Sequence, residues 1–159
     1  MKNSTCLLRD VESDVYWKDE RLNMITIQEC VTEIEKGPYI QTLTAIAKID
    51  GLLESEKEYI NFQAGILDID TSAYWENIPE LADIEFSQVS ETTKRIILRD
   101  ALVVAHIDKD FSSAESSFIN ELAGMMQVPE QLVQKLENWL LEYWAILEEG
   151  RDLLAVDES

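Results

Sequence analysis

The chain has 159 residues, enough for one domain with a real core, and its 46% apolar content excludes a disordered polymer. Thirteen basic residues against 32 acidic ones give a formal charge of −19, which repels nucleic-acid phosphates and anionic lipid headgroups and favours a protein partner with a basic surface. Two cysteines, Cys6 and Cys30, are too few for a secreted disulfide scaffold. No apolar run approaches membrane-spanning length and no signal-peptide core opens the chain, so a cytoplasmic protein without direct membrane insertion is expected.

In chain order, residues 1–23 carry Leu7, Leu8, Val11, Val15 and Trp17, read as a short helix packed on the body. Thr26 and Glu29 then have the spacing of a capping box, and Ile27, Cys30, Val31 and Ile34 follow at helical intervals. Gly37-Pro38 is read as the stop of that helix, with Pro38 opening a second that runs to Ile49 on an apolar face of Ile40, Leu43, Ile46 and Ala47. Asp50-Gly51 ends it. Ser55 and Glu58 form a second capping box, before a helix with Tyr59, Phe62, Ile66 and Leu67 inward.

Residues 68–90 hold too many apolar side chains for a free linker and are read as a short helix plus a packed loop. A long helix starts at Ser90. Its apolar residues, from Ile97 to Ala105, cover more than one side, which predicts the central buried helix. Ser112 and Glu115 make a third capping box, with Phe118, Ile119, Leu122, Met125 and Met126 behind it. Pro129 opens the last helix, on Leu132, Leu136, Leu140, Tyr143 and Leu147 with Trp139 and Trp144 alongside. Tyr143 and Trp144 are adjacent and cannot both face inward, so part of this stripe is expected to stay outside as a docking face. Gly150 is read as its end, with 150–159 an acidic tail. Nothing alternates like a strand, so the expectation is an all-α bundle of about seven helices in a single domain, 1–159.

One stretch occurs twice. Ala47, Ile49 and Asp50 recur as Ala105, Ile107 and Asp108; Tyr59-Ile60-Asn61 recurs as Phe118-Ile119-Asn120, and Ala64-Gly65 as Ala123-Gly124. Each copy reads as helix, acidic loop, helix, an internal duplication with one extra residue in the second loop. The loops offer Asp50, Glu54 and Glu56 in the first copy and Asp108, Asp110 and Glu115 in the second. Oxygen donors of this kind suit a hard divalent cation such as calcium, magnesium or manganese, and a pseudo-twofold arrangement lets both loops share one. A standard EF-hand does not fit: Ser113 and Ile119, or Ser55 and Asn61, stand where the loop needs Gly and Glu. Carboxylates beside a helix start are also explained by capping alone.

The two Asp loops, each between an apolar helix and a capped helix, resemble the TerB-like helical domain of the tellurite-resistance family. The resemblance covers Ala47–Leu67 and Ala105–Met126 and, more loosely, residues 25–148. Asp50-Gly51 carries the family's Asp-Gly; the second copy keeps Asp108 and replaces the glycine with Lys109. The resemblance implies a compact helical domain of bacterial stress-response systems, with a metal-binding or interaction role rather than catalysis.

Enzyme chemistry finds no support in the residues. His106 is the only histidine, its counterpart in the first copy is Lys48, and neither a second histidine nor a cysteine at ligand spacing completes a zinc set. No GxSxG, GxxxxGK[ST] or GxGxxG occurs. The expectation is therefore a non-catalytic binding domain with a cation at the Asp loops, the alternative being an acidic interaction module without a metal site.

Overall fold

A computed structural model describes residues 27–155. These form seven α-helices and no strand: α1 (Ile27–Cys30), α2 (Glu33–Ile49), α3 (Glu54–Ile66), α4 (Ser72–Glu76), α5 (Glu91–His106), α6 (Ser113–Met125) and α7 (Glu130–Leu154). The all-α expectation holds. The N-terminal segment 1–23, and Thr26 of the first capping box, lie outside the described residues.

The core forms between α2 and α5, which share the largest interface of any helix pair. Tyr39, Ile40, Leu43 and Ile46 of α2 meet Ile97, Leu98, Ala101 and Leu102 of α5, all essentially without exposure. Helix α5 also touches α1, α3, α6 and α7, so it is the central helix that its two-sided apolar pattern predicts. Ile60 of α3 and Leu122 of α6 close the core from either side. Leu81, Ile84, Phe86 and Val89 cover it from the segment after α4, where Leu81–Asp83 makes one 3-10 turn.

Two helices run through glycines that the sequence reading takes as stops. Helix α1 is a single turn, and α2 begins at Glu33 and runs straight through Gly37-Pro38. The start is held by Glu35, whose Oε2 accepts the Thr32 backbone N–H and the Thr32 hydroxyl, each at 2.8 Å. Its Oε1 accepts the Ser90 N–H at 2.7 Å, which joins the starts of α2 and α5. Pro38 leaves the Ile34 carbonyl without its intrahelical donor, but Ile34 is 65% exposed, on a side that water reaches. Helix α7 likewise runs through Gly150 to Leu154. Glycine ends a helix by taking a left-handed φ, and Gly150 does not.

Among side chains expected inward, Ile34, Met125 and Trp139 are exposed instead, while Phe62, Ile66 and Phe118 are half-buried. A polar network sits where only apolar contacts were expected. Asp100, fully buried on α5, accepts the Tyr39 hydroxyl at 2.7 Å, the Tyr59 hydroxyl at 3.1 Å and the Arg99 Nε–H at 2.8 Å. Burial, with the Asp100 charge beside them, pushes both tyrosine hydroxyls well above the usual phenol range. No helix of the described residues is long and apolar enough to cross a membrane.

Candidate metal centre

The loops that follow α2 and α5 come together at one end of the bundle. The first, residues 50–53, turns through Gly51 and Leu52, both left-handed at φ 82° and 61°. The Gly51 and Leu52 amides close back onto the carbonyls of Lys48 and Ala47. The second, residues 107–112, turns through Lys109 at φ 64°. A glycine fits such a position without strain, whereas leucine and lysine cost about 1 kcal/mol each there.

Glu56 and Glu115 occupy the same place in their helices, the third residue of α3 and of α6. Around Glu115 the capping box is complete: its Oε2 accepts the Ser112 N–H at 2.8 Å and the Ser112 hydroxyl at 3.0 Å. Around Glu56 it is not. Helix α3 starts one residue before Ser55, behind Leu53, so the expected Ser55–Glu58 box does not form and the residue ahead of the helix has no side-chain acceptor.

Asp50, Glu56 and Glu115 each place a carboxylate oxygen within 4.8 Å of the others. Glu56 and Glu115 are fully buried, and Asp50 is half-buried. Neither oxygen of Glu56 has a hydrogen-bond partner, nor has Oε1 of Glu115. Buried polar atoms are nearly always paired, and three bare carboxylate oxygens in one cluster are far from that norm. Burial is the largest influence on Glu56 and pushes its carboxyl up to about 8. The backbone amide of Leu53 offsets part of this without reaching hydrogen-bond geometry, and the charges of Asp108, Glu115 and Asp50 add to the rise. Glu115 is raised as well, by burial first, against the opposing Ser112 hydrogen bonds.

The structure thus joins Asp50, Glu56 and Glu115 of the six expected acids. Asp108 stands near enough to raise both glutamates, and its Oδ1 accepts the Asp110 N–H at 3.0 Å. Glu54 and Asp110 are exposed and outside the cluster. Capping and helix dipoles account for acids at the starts of α3 and α6. They do not account for Asp50 and Asp108, which follow the negative ends of α2 and α5. The donor set is all oxygen, the chemistry of a hard cation.

His106 closes the far side of the second loop. Its Nε2 lies 2.8 Å from Oε1 of Glu137 on α7, and its ring stacks on Phe111 at 4.3 Å. Comparison of the chain with protein-family models, with curated proteins and with solved structures returned no match.

Proposed function

We propose that the chain is a non-catalytic, TerB-like helical domain of the bacterial stress-response type, cytoplasmic, which binds one divalent cation between its two acidic loops. The observation that carries the reading is Glu56: a fully buried carboxylate with two unpartnered oxygens, set against Asp50 and Glu115. Such a group is stable as a neutral acid or as a ligand, and unstable as a bare anion. Three carboxylates sharing a cation remove both their mutual repulsion and the missing hydrogen bonds. The repeated helix–loop–helix pattern supports the TerB-like reading, because both copies supply a carboxylate from the third position of the second helix.

The test is thermal unfolding of EDTA-stripped protein with millimolar calcium, magnesium or manganese at fixed ionic strength. A cation at about a hundred times its dissociation constant adds about 2.7 kcal/mol, which raises the midpoint of a chain this size by about 5–10 °C. At least one of the three ions is expected to raise the midpoint, and Glu56→Gln to abolish the rise while keeping full helicity. No rise with any of the three ions, or a rise that survives Glu56→Gln, overturns the cation reading. The second reading, an acidic interaction module in which Glu56 keeps a proton, then stands, favoured by the raised Glu56 carboxyl.

A further inference from the structure

Helix α7 presents a second apolar stripe, set apart on the helical wheel from the seam that packs on the body. That seam holds the buried Val133 and Leu140 and then the half-buried Trp144 and Leu147. Trp139, Ile146 and Leu153 recur at heptad spacing on one face and are 42%, 65% and 78% exposed. Tyr143 lies on the same face and stacks on Trp139, ring centroids 5.7 Å apart and planes 8° from parallel. Leu154, 66% exposed, widens the stripe at its end. Solvated helix faces are ordinarily polar, so a stripe this regular with this much exposure points to a missing cover.

The stripe has an acidic edge. Glu142 and Glu149, both exposed and also a heptad apart, run beside Ile146 and Leu153 on the helical wheel. Arg151 is the only basic residue between Leu141 and Ala155, against Glu142, Glu148, Glu149 and Asp152. A second copy laid on this face sets acid against acid, between bodies that each carry −19. An anionic membrane meets the same repulsion. Apolar residues flanked by acids at heptad spacing match the opposite pattern on a partner helix.

We infer that the C-terminal half of α7 is a docking face for a cationic amphipathic helix of another protein, with apolar side chains covering Ile146 and Leu153 and lysine or arginine meeting Glu142 and Glu149. The surface lies on α7 alone and does not depend on the cation reading. The probe is a dye-labelled synthetic leucine/lysine amphipathic helix, titrated with the full-length protein by fluorescence anisotropy; a leucine/glutamate helix of equal length is the control. The leucine/lysine helix is expected to bind, more weakly as salt rises, and the control to fail. Ile146→Glu combined with Leu153→Glu is expected to weaken binding at least tenfold with helicity unchanged, both positions being exposed. That variant is more negative, so attraction to overall charge alone would instead strengthen binding. Unchanged or tighter binding by the variant overturns the inference, as does equal binding of the control helix. So does a dimer of the unmodified protein, seen by light scattering, that the same variant dissociates, since a second copy would then be the cover.

Discussion

Glu35 and Glu56 are two buried glutamates at the third position of a helix, and their surroundings send them in opposite directions. Burial works against the charge of Glu35, but the Thr32 and Ser90 donors outweigh it and hold its carboxyl at about 2. Glu56 has no such donors and rises to about 8. The folded state therefore binds Glu35's proton more weakly than the unfolded chain does, and Glu56's more strongly. Glu35 contributes stability that is present above about pH 4.5 and lost as pH falls toward 2. Glu56 in cation-free protein contributes stability that is present below about 4.5 and lost as pH rises toward 8. Glu56→Gln is thus expected to stabilise the cation-free protein at pH 9, by on the order of a few kcal/mol, and to do little at pH 5. Glu35→Ala is expected to cost about 2–3 kcal/mol at pH 7, because it frees the Thr32 and Ser90 amides together. Denaturant melts at pH 5, 7 and 9 check both; a difference between Glu56→Gln and the unmodified protein that does not depend on pH would show that the fold leaves the proton affinity of Glu56 unchanged. The acids of the site were legible as types and spacings, because both loops advertise them. Which three converge was not, since the Leu53 start of α3, one residue before the expected Ser55–Glu58 box, is what leaves Glu56 bare. Asp100 and its two tyrosines gave no signal either, because a buried carboxylate inside an apolar helix reads as a surface position until its partners on α2 and α3 are placed.

At the scale of the element, periodicity predicted helix identity well and helix ends poorly. The central role of α5 followed from its two-sided apolar pattern. Gly37-Pro38 and Gly150 look like stops because glycine and proline usually are, yet tertiary contacts decided otherwise: Glu35 anchors the start of α2 ahead of Pro38, and α7 simply continues. The glycines make this testable. An added Cβ at Gly37 or Gly150 meets nothing within 4 Å, and neither has a positive φ. Gly37→Ala and Gly150→Ala are each expected to stabilise by about 0.5–1 kcal/mol, as alanine does in any unstrained helix interior. Gly51→Ala, at φ 82°, is expected to cost about 1 kcal/mol. Chemical unfolding of the three variants reads the contrast; a destabilised Gly150→Ala would mean that α7 stops there after all.

For the whole molecule, the charge of −19 is the dominant long-range fact. The ion pairs Lys36–Glu33, Lys94–Glu91 and Lys48–Glu80 each join a solvent-exposed glutamate, and pairs of that kind add little. Self-repulsion therefore outweighs surface attraction, and monovalent salt is expected to stabilise the fold by screening it. The midpoint of EDTA-treated protein should climb by several degrees between 20 and 300 mM potassium chloride, concentrations on the order of those that shrink the Debye length below 10 Å. A falling midpoint would assign the net electrostatics to the ion pairs instead.

Helix α7 has 25 residues, and its buried side chains lie before Leu141. Its outer turns keep only half-buried side chains on the body, among them Trp144 against the core, so they are expected to open more readily than the core does. Amide hydrogens there are set to exchange with solvent deuterium long before those of α2 and α5. The helix that ends the described chain is, in kinetic terms, two segments: one that opens only when the protein unfolds, and one that opens on its own.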